Sequence, residues 1–195
     1  MIETGKVEKT QPRLQKKYNE EIRSALREQY ELKNVMQIPR LKKITVNMGL
    51  GPNAKDKKLL ALHTEELTKM VSQKPMLKHS KKAAATFKLR KGDPISLVVT
   101  LRGDRMWYFL EKLINVAIPR IRDFNGLKLG FDRQGNYNFG LTDQTIFPEI
   151  KVDKVSRQQG MDVCFTISGG SDDMSKSLLE GLGFPLKRKK EKKED

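Results

Sequence analysis

The stretch that most constrains how this chain can fold runs from Ile95 to Gly126, ISLVVTLRGDRMWYFLEKLINVAIPRIRDFNG. Ile95, Leu97, Val99 and Leu101 fall on one face of an extended chain, with Val98 and Thr100 on the other, which predicts a strand. Gly103 interrupts the alternation, and Asp104 is placed to cap a following helix by accepting orphan backbone N–H groups. Met106, Phe109, Leu110, Leu113, Ile114 and Ala117 then recur at helical spacing as one apolar face. Pro119 is expected to end that helix, because the residue before a proline avoids the α region. A strand and a helix with one apolar face each must bury those faces together. Arg102 and Arg105 stand at the turn, and Arg120 and Arg122 follow the helix, so the pair presents cations to something anionic.

Charge makes that partner concrete. The chain has 195 residues, a formal net charge of +15 and 37% hydrophobic residues. Its aliphatics are periodic, which argues for a folded domain rather than a disordered polyelectrolyte. A surplus of this size on one domain points to a polyanion, nucleic acid first. Cys164 is the one cysteine, so no disulfide framework exists and a reducing compartment is expected. No apolar run approaches the roughly 18 residues of a membrane span, and the polar N-terminus does not read as a signal peptide.

Around the central pair, Met1 to Thr10 reads as a loose lead-in, and Pro12 opens a helix to about Leu32 with Leu14, Tyr18, Ile22 and Leu26 four apart. Leu41 to Met48 alternates as a half-buried strand, with Ile44, Val46 and Met48 against Lys43, Thr45 and Asn47. Gly49 and Gly51 follow, then Asn53 as an N-cap and a helix to Val71. This strand–Gly-x-Gly–helix order lacks the third glycine of a dinucleotide fingerprint, so the glycines read as a tight turn. From Leu67 to Gly92 there is no acidic residue, and the lysines and arginines of this run predict an exposed, mobile loop over Lys74 to Ala85 that settles on phosphates. Gly126 to Gly140 reads as a long irregular connection. Its Tyr137 and Phe139 suit a core better than base stacking. Thr145 to Ile150 is a short apolar piece, followed by a basic loop from Lys151 to Gln159. Met161 to Ile167 is a strand, and Ser171 caps a last helix with Asp172 and Asp173 in its first turn and Gly183 past its end. Residues 11–186 are expected to form one domain, with a charged, disordered tail over 187–195. The class is α+β, a two-layer fold with a mainly antiparallel sheet and helices on one face.

Catalytic chemistry finds no foothold. His63 and His79 are the only histidines, which with one cysteine make no zinc set, and the His63–Glu66 spacing is commonplace. There is no nucleophile elbow and no Walker A loop. Asp143 and Glu149 are scattered carboxylates. No cofactor, metal or catalytic residue is expected.

Several long motifs resemble one family. VMQIPRLKKITVNMGLG (35–51), SQKP (72–75), FKLRKGDPI (87–95), VTLRGDRMW (99–107), PRIRDFNGL (119–127), GNYNFG (135–140), FPEI (147–150) and QGMDV (159–163) are similar, in order, to the bacterial-type large-subunit ribosomal protein five family. The resemblance implies a protein, not an enzyme, that binds 5S ribosomal RNA in the central protuberance. Its further partners would be 23S rRNA, P-site transfer RNA, small-subunit ribosomal protein thirteen and other protuberance proteins, with no membrane. It implies 5S contacts at Asn47, Gln73, Thr100, Arg102 and Asp162. It also implies a transfer-RNA-facing loop with Lys74, Lys78, His79, Ser80, Lys81 and Lys82. Lys88, Arg90, Lys91 and Arg105 join them as further RNA contacts. The family carries Gly where Ser72 stands here. The expected location is the cytoplasmic bacterial ribosome, with an organellar ribosome as the alternative.

Independently of the resemblance, Asn47 and Thr100 have opposite parity to their strands' apolar sets and so belong on the sheet face away from the helices, where Asn, Thr and Arg suit irregular RNA. Two other classes are open to the sequence: a magnesium-dependent RNA-processing enzyme, and a basic adaptor for acidic proteins or anionic membranes.

Overall fold

Three long strands with alternating side chains form the centre of a five-stranded sheet. The computed structural model describes residues 11–51, 54, 56–87, 89–150, 157–169 and 171–187. Thus the lead-in, the Asn53 cap, Lys88, residues 151–156 of the second basic loop and the tail beyond Lys187 lie outside the described residues. β1 (Arg40–Gly49), β2 (Met76–His79), β3 (Pro94–Leu101), β4 (Tyr137–Leu141) and β5 (Met161–Ser168) lie in the order β2-β3-β1-β5-β4, every neighbouring pair antiparallel. Ile44, Val46 and Met48 of β1, Leu97, Val99 and Leu101 of β3, and Val163, Phe165 and Ile167 of β5 are buried on one face. Leu41 joins them although its parity differs from that of Ile44, because the register with β5 shifts between Leu41 and Lys43; such an irregularity re-aims side chains across a strand.

Helices cover that apolar face, as an α+β two-layer fold requires. α1 (Arg13–Lys17), a π turn (Tyr18–Ile22) and α2 (Arg23–Gln29) run continuously. An apolar repeat of four outruns the 3.6 residues of an α-helical turn, and the wider π turn takes up the drift. Leu14, Tyr18, Ile22 and Leu26 therefore all reach the core. α3 (Lys57–Val71) buries Leu67, Met70 and Val71, with Asp56 as its N-cap, accepting from the Lys58 N–H at 2.8 Å. α4 (Gly103–Lys112) continues into a π turn (Leu113–Ala117) and a 3₁₀ turn (Ile118–Arg120) that carries Pro119, so the helix tightens through the proline instead of stopping before it. Asp104 makes no cap either. Arg102 holds the N-cap position with an extended backbone and no side-chain cap bond, leaving Asp104 in the first turn, where its charge favours the positive end of the helix dipole. Ser171 does cap α5 (Asp172–Gly181), accepting from the Met174 N–H at 3.2 Å.

Two edge strands depart from the sequence expectations. The exposed loop expected over Lys74 to Ala85 contains β2, whose Met76, Leu77 and Lys78 pair with Val98, Leu97 and Ser96. Beyond it the Ser80 N–H donates to the Asp93 carbonyl at 2.8 Å and the Gly92 N–H to the Ser80 carbonyl at 2.9 Å, and Ala84 and Leu89 exchange two bonds of 3.0 and 3.1 Å, so the segment forms a β2–β3 hairpin. The irregular connection likewise ends in β4, whose Tyr137 pairs with Phe165 and Phe139 with Val163. Tyr137, Phe139, Phe165 and Phe184 pack as a ring cluster, with centroids 5.4–6.0 Å apart, on the helix side of the sheet. Trp107, absent from the expected core, is buried with its ring 5.8 Å from that of Tyr18. Lys187, expected to begin the tail, donates its N–H to the Leu127 carbonyl at 2.9 Å.

Candidate nucleic-acid interface

The sheet face that carries no helix among the described residues is built from the alternate residues of the same strands. Directly paired residues of an antiparallel ladder share a face, so register places them in rows across the strands. One row runs Met76, Val98, Asn47, Asp162, Gly140; the next runs Thr100, Thr45, Cys164, Asn138; a third holds Lys78, Ser96 and Gly49. Asn47, Thr45, Thr100 and Cys164 are half-buried, while Asp162 and Asn138 are exposed. The face is thus mostly polar, and its side chains are held at the strand spacing of about 4.8 Å.

Four of the residues singled out from the sequence meet at one end of β3. The Gln73 amide Nε2 donates to the Thr100 carbonyl at 3.4 Å, and Arg105 Nη1 donates to Gln73 Oε1 at 3.5 Å. Arg102 extends β3 by one residue on the Thr100 side and is exposed. Asn47 and Asp162 are cross-strand partners. Gly140, opposite Asp162, leaves the space above the carboxylate open: a Cβ built there would stand 3.5 Å from Asp162 Oδ1. Burial first, then the Asp162 charge, pushes the Cys164 thiol above its ordinary range.

The hairpin presents the lysines. Lys74, Lys78, Lys81, Lys82, Arg90 and Lys91 are exposed. Among the described residues none of them, nor Arg102, forms an ion pair; Lys69, Lys112 and Lys176 on the helices pair with Glu65, Glu149 and Glu180. Cations on the sheet side are left free for an external anion. Two residues expected in the contact loop serve the hairpin itself: His79 Nδ1 donates to the Gly92 carbonyl at 3.0 Å, and the 8% exposed Ser80 donates its hydroxyl to the Lys82 carbonyl. Ser72, ahead of Gln73, sits in the left-handed region at φ 54°, ψ 30°, the conformation glycine takes most easily after a helix.

Sequence reasoning passed over Lys43, Thr45, Met76, Val98 and Asn138 on this face. Parity marked Lys43, Thr45 and Val98, whereas Met76 and Asn138 lie in the two edge strands that were not foreseen. Among the described residues no group of three His, Cys, Asp or Glu side chains is placed to hold a metal ion, and no helix is long and apolar enough to cross a membrane.

Comparison with known proteins covers nearly the whole described chain. A family model described as Ribosomal protein L5 matches residues 34–90, and a model of the C-terminus of the same ribosomal family matches residues 94–186. The chain is 54% identical over 177 residues to the Large ribosomal subunit protein uL5 of Corynebacterium glutamicum strain R, covering 90% of this chain and 93% of that one. It is 52% identical over 177 residues to the protein of the same name from Thermobifida fusca, again covering 90% and 93%.

Proposed function

The chain belongs to the ribosomal protein L5 family, a structural and non-enzymatic component of the large ribosomal subunit, and from that premise we propose that its open sheet face binds 5S ribosomal RNA. Asn47, Gln73, Thr100, Arg102 and Asp162 make the specific contacts. The hairpin cations Lys74, Lys78, Lys81 and Lys82, with His79 and Ser80 shaping the turn, face P-site transfer RNA. Lys88, Arg90, Lys91 and Arg105 contact phosphates of 5S or 23S rRNA. The surface following α4 meets small-subunit ribosomal protein thirteen and other central-protuberance proteins. The setting is the cytoplasmic ribosome of a bacterium, in keeping with the bacterial relatives.

The observation that carries this reading is the register: Asn47, Thr100 and Asp162 come from three strands onto one open face, with the Gln73–Arg105 pair and Arg102 at its end. Guanidinium groups offer planar forks to phosphate or guanine, and the amide and carboxylate offer partners to base edges and sugar hydroxyls of irregular RNA. Lysines add charge without sequence information.

Filter binding against 5S rRNA and a length-matched scrambled RNA tests it at two salt concentrations. Six to ten phosphate contacts would weaken scrambled-RNA binding by roughly 10³- to 10⁵-fold between 50 and 200 mM salt, with 5S binding surviving better. Arg102→Ala should weaken 5S binding about tenfold and scrambled-RNA binding less. Equal losses for both would make Arg102 a plain phosphate contact and remove the case for specific recognition.

A further inference from the structure

Phosphate neutralisation leaves part of the open face unused. Val35, Met36, Met76, Tyr108 and Val116 are the large apolar side chains that stay exposed among the described residues, and Met76 alone lies in a strand. It is 61% exposed. Its partner Val98 is half-buried on the same face, and Val98 in turn pairs with Asn47, which pairs with Asp162. An apolar strip thus runs directly into an amide and a carboxylate, with Lys78 in the adjoining row. The ring-bearing residues of β4 and β5 all point to the core. An RNA base arriving here meets no aromatic ring of those strands, and a thioether is the polarizable surface on offer. Asp162 argues the same way: a carboxylate repels phosphate, so what approaches it is a hydrogen-bond donor, such as a base N–H or a 2′-hydroxyl.

We propose that Met76 and Val98 form a stacking floor for one unpaired base of the bound RNA, whose donor edge is turned toward Asn47 and Asp162. The strip is therefore a base-reading element within a surface otherwise built for the backbone. This rests on the reading that the open face takes 5S rRNA.

The discriminating substitution is Met76→Lys in the full chain, measured beside Met76→Ala and Met76→Leu against 5S rRNA across a salt series. A surface that only neutralises phosphates gains from another lysine: affinity rises, and the salt slope steepens by about 0.9. A stacking floor loses its face. Met76→Lys then binds more weakly than the parent without a steeper slope, Met76→Ala weakens binding about three- to tenfold, and Met76→Leu stays within about twofold. Tighter binding by Met76→Lys, or unchanged binding by Met76→Ala, overturns the proposal. Parent protein that fails to distinguish 5S from scrambled RNA removes the functional reading itself and the floor with it, a result visible before any variant is made. The exposure of Met76 keeps the fold out of the comparison, which unchanged urea midpoints verify.

Discussion

Tyr137 offers a stability test that separates two roles of one buried phenol. Its side chain is fully buried, with Phe131 at 5.0 Å and Phe184 at 5.5 Å between ring centroids, and its hydroxyl donates to the Lys128 carbonyl at 2.9 Å. Burial pushes the phenol far above its ordinary range. Tyr137→Phe keeps the ring and removes the hydroxyl. At neutral pH the variant should lose about 1 kcal/mol, the net worth of one hydrogen bond, which lowers Tm by roughly 2–4 °C for a chain of this size. The sign reverses in alkali. A folded-state pKa above the unfolded value of about 10 gives stability that is intact below pH 10 and lost as pH rises further, at about 1.4 kcal/mol per pH unit. Only the parent carries that loss, so the two curves should cross at about pH 10.7. Tyr18, also raised by burial against the opposing pull of Arg23 and Arg40, contributes equally to both proteins and cancels. Urea unfolding followed through Trp107, the only tryptophan, at several pH values between 7 and 11.5 reads the difference directly. A gap that stays constant with pH would refute the claim that the fold holds this phenol protonated.

Cys164 reports on the same face that the RNA is expected to cover. Its raised thiol should alkylate slowly at pH 7.5 and about tenfold faster per pH unit up to its pKa; Asp162→Asn should speed the reaction by removing the adjacent charge, and bound 5S rRNA should slow it, all measurable with iodoacetamide and mass spectrometry. Labelling that RNA leaves unaffected would place the RNA elsewhere. Ser72 tests the turn: Ser72→Gly should leave the urea midpoint equal or higher, and Ser72→Val should lower stability by about 1–2 kcal/mol, because a β-branched residue tolerates the left-handed region poorly.

The parts of the fold that were legible are those where one periodicity and one burial pattern coincide. β1, β3 and β5 alternate because one face meets helices and the other does not, so sequence parity alone assigned Asn47 and Thr100 to the open side. The edge strands were hidden for opposite reasons. Met76 to His79 is four residues, two of them lysine and histidine, and only its pairing with β3 makes it a strand. Tyr137 to Leu141 is embedded in glycine and asparagine, and its extended shape is imposed by β5 and by the Asn138 N–H donating to the Gly130 carbonyl at 3.0 Å. Asp104 failed as a cap because the helix starts at Gly103, two residues too early for its carboxylate to be the capping group. Trp107 is buried against Tyr18 of the N-terminal helix, a contact across 89 residues that no local period encodes. Gln73 stands out in the sequence only as part of a motif, and Arg105, which holds it, lies 32 residues away.

Neighbouring residues on opposite faces of β1 give the sharpest separation of folding from binding. Val46 is fully buried among the helices' apolar partners, and Asn47, half-buried on the open side, pairs with Val98 and Asp162. Val46→Ala removes two buried carbons and should cost about 2 kcal/mol of stability, yet leave the RNA affinity of the folded protein unchanged. Asn47→Ala should shift stability by no more than about 0.5 kcal/mol and weaken 5S binding several-fold. Because side chains alternate with a period of two, a slip of β1 by one residue would exchange these roles and bury the amide; the packing of Ile44, Val46 and Met48 is what prevents it. Circular-dichroism melts and filter binding on the two variants decide the matter. If Asn47→Ala melts as early as Val46→Ala and binds RNA like the parent, the open face is structural and the division of labour between the faces of the sheet is wrong.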